Sequence, residues 1–327
     1  MRSNPLSADP PQATVGERAL GALLGTFVGD ALGMPWEGAP VDSIPAVLEM
    51  KGARLGRGTY TDDTQMTIAL AESLLRCDGV DEEDLARTFV AHHDPHRGYG
   101  VGTTRVLAQL RAGTPVAEAA RQAFAGRGSL GNGAAMRVAP VAVRFFEDEV
   151  LLDAQARRSA RVTHAHDVAI DAAATQAAAV AAALDGREPL EAATRTARTD
   201  AMRAALDEAA ERTAAGLDPG ALAGGDGTVP ALAHPSVAAA VVAGARCGRF
   251  EEAVEVAVRA GGDTDTVAAM AGAIAGARFG NGAIPPRWLE ALEDGERGRS
   301  HVEAQAGELA ARALAAVAGA PTGRKVR

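Results

Sequence analysis

Two short acidic strings stand 200 residues apart: Tyr60-Thr61-Asp62-Asp63-Thr64 and Gly261-Gly262-Asp263-Thr264-Asp265-Thr266. Carboxylates and hydroxyls are hard oxygen ligands, which suit Mg²⁺ or Mn²⁺ better than Zn²⁺ or copper. Two such clusters could hold two metals, a common device for hydrolysis, provided the fold brings them together. A plainer reading is helix capping, since Asp and Thr are favoured N-caps. Capping needs one acceptor, however, and adjacent carboxylates at one helix start repel each other. The repetition of the same chemistry favours metal. A helix N-terminus also carries partial positive charge, which keeps carboxylates in the ionised form that divalent ions require.

Other candidates are weaker taken singly. Gly98-Tyr99-Gly100-Val101-Gly102 and Gly128-Ser129-Leu130-Gly131-Asn132-Gly133 each precede a predicted helix. Glycines there let backbone N–H groups approach an anion closely, although two ordinary turns would read the same way. Thr163-His164-Ala165-His166-Asp167 contains a His-Asp pair. Histidines two apart do not share a helix face, so a contact or capping role for His164 is more economical than a two-His metal site. Glu37 follows Trp36 in a loop and gains interest only beside the acidic strings.

These residues need elements to position them. Thr14 and Glu17 form a capping-box pattern, and Leu20, Leu23, Leu24, Phe27 and Val28 follow helical spacing to about Gly33, with Pro35 beyond. The periodicity predicts further helices from Thr64, over 81–91, 101–112, 134–146, 149–162, 166–184, 189–215, 236–247, 250–260, 264–279 and 301–318. Residues 217–235 read as loop, and Gly261-Gly262 as the turn into Asp263. No long alternating run of β-branched and aromatic residues is present, so the chain is expected to be all-α, with no sheet. Ala269, Gly272, Ala273 and Gly276 place small residues at spacings of three and four and predict a closely packed central helix. A single domain over 15–318 is expected, with tails at 1–14 and 319–327.

Composition bounds the function. Of 327 residues, aromatics are only 3%, so small side chains carry much of the core. The net charge of −9 argues against a nucleic-acid-coating role. The two cysteines, Cys77 and Cys247, form no CxxC pattern and read as buried small hydrophobes. No signal peptide and no long run of large apolar side chains is evident. The expectation is a cytoplasmic, monomeric protein without a membrane segment.

Together the motifs resemble the ADP-ribosylglycohydrolase family. The strings that carry the resemblance are GALLGTFVGDALGMPWEG (21–38), YTDDTQMTIALAESLL (60–75), GSLGNGAAMRVAPVAV (128–143), THAHDVAIDAA (163–173) and GGDTDTVAAMAGAIAGA (261–277), in the family's order. The resemblance implies an all-α fold and two Mg²⁺ or Mn²⁺ ions at the floor of an ADP-ribose cleft. It assigns Thr61, Asp62 and Asp63 to the first metal cluster and Asp263, Asp265 and Thr266 to the second. Gly100 and Gly102 fall where the family contacts the distal ribose and diphosphate. Gly128, Ser129 and Asn132 fall at the diphosphate cradle. Phe124 and His164 fall near the adenosine or diphosphate end, and Ser236 matches a ligand-contacting position. Catalysis would involve Glu37, Asp62 or Asp63.

Residues 94–103, the 128–137 loop and Glu37 most resemble the subgroup that cleaves O-linked ADP-ribose on serine, in poly(ADP-ribose) and in O-acetyl-ADP-ribose. Leu130 departs from that subgroup's aromatic residue, and His166 replaces a smaller one. The expected partner is an ADP-ribosylated protein or small-molecule conjugate. The alternatives are an arginine-linked N-glycosidic hydrolase, a non-catalytic ADP-ribose-binding relative, and a His-Asp metal phosphohydrolase centred on His166 and Asp167.

Overall fold

The computed structural model describes residues 13–319, apart from 54, 123, 125 and 226. Most of both expected tails lies outside the described residues. Thr14 opens α1 (Val15–Gly33) with the reciprocal cap its sequence suggests. Its hydroxyl accepts the Glu17 N–H at 3.2 Å, and the Glu17 carboxylate accepts the Thr14 N–H at 2.7 Å. A short 3-10 turn containing Pro35 then ends the helix.

Four helices follow: α2 (Asp62–Cys77), α3 (Glu82–His92), α4 (Val101–Arg111) and α5 (Val116–Gln122). Next come α6 (Ala139–Phe145), α7 (Glu149–Arg161), α8 (Asp167–Leu184), α9 (Pro189–Thr196), α10 (Asp200–Arg212) and α11 (Pro219–Ala223). The chain closes with α12 (Ala233–Arg246), α13 (Phe250–Arg259), α14 (Thr264–Phe279), α15 (Pro286–Leu289) and α16 (Arg299–Gly319).

The centre of the fold is the antiparallel pair α1 and α14, which α8, α12 and α13 surround. Side-chain absence is what permits this pair. Gly21, Gly25, Gly29 and Gly33 recur every fourth residue along one face of α1. They lie against Gly276, Gly272, Ala268 and Asp265 of α14. A Cβ on Gly25 would sit 2.1 Å from the Gly272 carbonyl oxygen, and one on Gly272 would sit 2.2 Å from that of Gly25. The two backbones therefore touch, and no larger residue fits between them. The small-residue spacing on α14 has this consequence, and α1 supplies the matching stripe.

Several expectations change. The all-helical reading holds except for a two-residue hairpin, β1 (Gly52–Ala53) with β2 (Gly56–Arg57), too short to show a strand pattern. The helix expected over 189–215 is two helices. Buried Asp171 of α8 reaches the break and accepts the N–H groups of Arg198 and Thr199 at 2.8 and 2.7 Å and the Thr199 hydroxyl at 2.8 Å. Residues 134–138 form turns, and α6 begins only at Ala139 with Pro140 in its first turn. The expected loop contains α11, which the Asp218 carboxylate caps through the Ala221 N–H at 2.9 Å. Cys247 is buried, as expected, but Cys77 ends α2 and is exposed. Alanine-rich α8 is long and apolar enough by composition to cross a membrane, yet most of it is buried inside the fold.

The backbone contact makes a measurable statement. Gly272→Ala should lower stability by about 3 kcal/mol, the scale of overpacking a tight core. Gly307→Ala, at an exposed position of α16 with open space around it, should be neutral or stabilise by up to about 1 kcal/mol. Thermal denaturation of both variants checks the contrast, and equal melting temperatures would remove the steric argument.

Candidate active site

Helix α1 pins both acidic strings. At its C-terminal end, a Cβ on Gly33 would lie 2.5 Å from the Asp265 Cα, and the Thr264 hydroxyl donates to the Gly33 carbonyl at 2.8 Å. One turn earlier is Asp30, with 0% exposure. Its carboxylate accepts the backbone N–H groups of Thr61 and Thr64 at 3.0 and 3.1 Å and the Thr64 hydroxyl at 2.6 Å. Asp30 thus holds the start of α2 from outside that helix. The sequence reading missed it, although an acid inside the apolar run of α1 was the available signal.

Local capping leaves the acids free for other work. Thr61 is the N-cap of α2, accepting the Asp63 N–H at 3.2 Å, and its hydroxyl donates to Asp63 Oδ2 at 3.1 Å. Thr266 donates to the same Oδ2 at 3.4 Å, so one oxygen joins the two strings. Asp63 Oδ1 is buried and has no hydrogen-bond partner among the described residues. Asp263 precedes α14 but makes no side-chain cap; it accepts from Asn132 Nδ2 instead. The same Asn132 nitrogen also donates to Ser236 Oγ at 2.9 Å, and Ser236 donates to the Pro230 carbonyl at 2.8 Å. Gly261 and Gly262, both at positive φ, make the turn into Asp263. The Gly262 carbonyl accepts the Gly38 N–H at 3.0 Å. That bond holds the Glu37 loop against the second string, and carboxylate oxygens of Glu37, Asp263 and Asp265 lie within 4.8 Å of one another.

Burial of these like charges is electrostatically expensive. Desolvation, then the neighbouring Asp30 carboxylate, raises Asp62 to about 8. Desolvation and the surrounding carboxylates push Asp63 and Asp265 well above the ordinary range, and desolvation raises Asp30 to about 6. A divalent cation would reverse each of these shifts. An all-oxygen donor set with an orphaned buried carboxylate oxygen fits a hard metal ion.

The acids line a cavity of about 590 Å³, with Glu37 at its rim. Gly100 and Gly102 at the start of α4 form part of the wall, as do Gly128, Ser129 and Asn132 of the glycine loop. Phe124 and His164 complete the set of expected ligand contacts that reach the cavity. Gly128 has φ +75°, and a Cβ there would lie 2.7 Å from the His166 nitrogen, so the loop packs tightly on the start of α8. Two expected site residues do not line the cavity. Thr61 stands behind Asp63, and Ser236, fully buried, stands behind Asn132. Arg127 and His166 line it without having been singled out as contacts. The His-Asp centre does not assemble: His166 Nδ1 accepts the Val168 N–H at 3.2 Å as the cap of α8, and the one metal-capable group among the described residues is the acidic one.

The model of the ADP-ribosylglycohydrolase family matches residues 11–321. The chain belongs to that family. It is 33% identical to the ADP-ribosylhydrolase ARH3 of Danio rerio, over 84% of this chain and 86% of the relative. It is 29% identical to the ADP-ribosylarginine hydrolase Tri1 of Pseudomonas putida, over 96% of this chain and 82% of that one. A solved ADP-ribosylglycohydrolase-related protein complex superposes with a TM-score of 0.76 at 36% identity, covering 91% of this chain and 99% of the other. Membership makes the chain a glycosidic-bond hydrolase of a metal-dependent family, on an all-α fold.

Two outcomes follow from the electrostatics and from Asp30. Carboxyls raised in the folded state keep their proton while the unfolded chain loses it near pH 3.8. The contribution of these acids to metal-free stability should therefore be greatest below that value and fall as pH climbs towards about 8, the Asp62 value. Saturating Mg²⁺ should flatten the fall, as melting curves with Mg²⁺ and with EDTA will show. Asp30→Asn replaces an acceptor oxygen by a donor facing N–H groups. It should weaken divalent-ion binding roughly tenfold or more, measurable by calorimetric titration with Mn²⁺.

Proposed function

We propose that this chain is a dinuclear-metal hydrolase that releases ADP-ribose from O-linked acceptors: serine in proteins, poly(ADP-ribose) or O-acetyl-ADP-ribose. The observation that carries the reading is the convergence of both acidic strings, with Asp63 Oδ1 lacking a hydrogen-bond partner among the described residues, in one cavity that the glycine loop also lines. The resemblance of residues 94–103, the 128–137 loop and Glu37 to the O-linked subgroup supports that class, and identity to the arginine hydrolase Tri1 is lower, at 29% against 33% to ARH3.

Two divalent ions, Mg²⁺ or Mn²⁺, would be held by Asp62 and Asp63, which Thr61 orients from behind, and by Asp263, Asp265 and Thr266, and would supply Lewis-acid stabilisation of charge on oxygen. Cleavage at the anomeric carbon passes through an oxocarbenium-like state, so a carboxylate nearby lowers its energy. Glu37 is the favoured proton-transfer group. It sits at the exposed rim within reach of Asp263 and Asp265, whereas Asp63 is buried in the wall. Asp62 is the alternative. Gly100, Gly102, Gly128, Ser129 and Asn132 would bind the ribose and diphosphate through backbone and amide groups, with Phe124 against the adenine.

Serine-linked and arginine-linked ADP-ribosyl peptides, each incubated with Mg²⁺ and with EDTA, test the reading. Free ADP-ribose should appear faster from serine, and only with metal. Faster release from arginine would overturn the linkage and favour the second reading, to which the Tri1 likeness along 96% of this chain points. No release from either would leave a binding protein. Glu37→Gln keeps the shape but cannot take a proton; turnover should fall about 100-fold or more, with ADP-ribose affinity retained within about tenfold.

A further inference from the structure

Behind the glycine loop lies Arg137, with 0% exposure. One terminal nitrogen donates to the Gly133 carbonyl at 2.6 Å. The other donates to the Thr163 hydroxyl at 2.7 Å and to the Ser159 carbonyl at 3.3 Å. Its guanidinium carbon lies 4.7 Å from the Phe89 ring centre. Every one of these partners is neutral, and its Nε has no partner among the described residues. No carboxylate bonds it, and Asp62 acts on it only through space, so the buried charge is poorly compensated and costly. Burial pulls the guanidinium down to about 9, which still leaves it charged at neutral pH.

The charge has a route into the cavity. Arginine only donates, so the Thr163 oxygen accepts from it. Among the described residues the one remaining partner of that hydroxyl is His164 Nδ1, at 2.7 Å. The hydroxyl therefore donates to Nδ1, and the ring proton resides on Nε2. His164 is 2% exposed and lines the cavity. Its Nε2 would lie 3.5 Å from a Cβ on Gly133 and 4.0 Å from one on Gly131, so this N–H lies beside the glycine loop. Desolvation, with Arg137 nearby, lowers the imidazole to about 3, which keeps it neutral with a single proton. The chain as a whole is acidic, and the same cavity is lined by Asp62, Asp63, Asp263 and Asp265. An anionic ligand needs a donor and a positive field on this side.

We propose that Arg137 is a positioning residue for a diphosphate: through Thr163 it fixes His164 as an Nε2–H donor to a phosphate oxygen, and its own charge is balanced when that anion binds. The inference rests on the ADP-ribose reading above. It adds that the cavity selects for the diphosphate through a buried cation, in addition to the loop backbone.

The test uses the full chain with Mg²⁺. Titration calorimetry compares ADP-ribose with adenosine, which lacks the anion, for the wild type, Thr163→Val and Thr163→Ser. Proton–nitrogen correlation spectra report the His164 tautomer, assigned by its loss in His164→Gln. We expect the wild-type ring to carry its proton on Nε2 and that resonance to move with ADP-ribose but not with adenosine. Thr163→Val should bind ADP-ribose about tenfold more weakly, the scale of one charge-assisted hydrogen bond, and Thr163→Ser should restore it. A proton on Nδ1 in the wild type, or undiminished ADP-ribose affinity in folded Thr163→Val, would overturn the relay while leaving the function intact. If Thr163→Val does not fold, the wild-type tautomer and its response to ADP-ribose decide alone. A wild type that binds no ADP-ribose overturns the function reading itself.

Discussion

The bare backbone contact between α1 and α14 is the constraint on which the site depends. Two helices this close have almost no side-chain layer between them to absorb a shift. The register of Gly21, Gly25, Gly29 and Gly33 against Gly276, Gly272, Ala268 and Asp265 fixes how far α14 extends past the end of α1. That in turn sets where Asp263, Asp265 and Thr266 emerge. The same α1 carries Asp30, which grips the first turn of α2. One helix therefore references both acidic strings to a common frame, although they are 200 residues apart in the chain. A composition poor in aromatics and rich in glycine and alanine is the material this arrangement requires.

Within that frame the charges are arranged against their own stability. Carboxylates packed at the N-termini of α2 and α14 gain something from the helix ends, but desolvation and mutual repulsion dominate, as the raised proton affinities of Asp62, Asp63 and Asp265 show. Behind the glycine loop Arg137 presents the opposite imbalance, a buried cation whose hydrogen-bond partners are all neutral. The acids lack a bonded cation, and the arginine lacks a bonded anion. A ligand carrying both a metal ion and a diphosphate would satisfy both.

What the sequence made legible was local. The Thr14–Glu17 cap, the end of α1 before Pro35, the turn at Gly261-Gly262 and the two acidic strings all depend on residues within a few positions of each other. What it hid depends on distant partners. Asp171 breaks the 189–215 segment only because α8 brings it beside Arg198 and Thr199. Asp30 reads as one polar residue in an apolar run until α2 is placed next to it. The small-residue spacing of α14 was visible, but its meaning required the matching stripe on α1. The resemblance points to Ser236 and Thr61, yet both stand behind the cavity wall, bonded to Asn132 and Asp63. A motif marks a neighbourhood; burial and bonding decide which of its members face the cavity.

This architecture also separates the parts that must hold still from those that can vary. The acids, Asn132 and His164 are each tied to a helix end or to a buried partner, so their geometry follows from the core. Glu37 sits on an exposed loop that the Gly38–Gly262 backbone bond ties to the second string at 3.0 Å. Phe124 and Leu130, at or near the mouth, rest on short loops, and Phe124 adopts φ +54°, an unfavourable conformation for a residue with a Cβ. The acidic strings therefore reside on the helix frame, while the loops that carry Glu37, Phe124 and Leu130 can change without moving that frame. On this division, a change at Leu130 alters the lining of the cavity and leaves the acidic strings where α1 holds them.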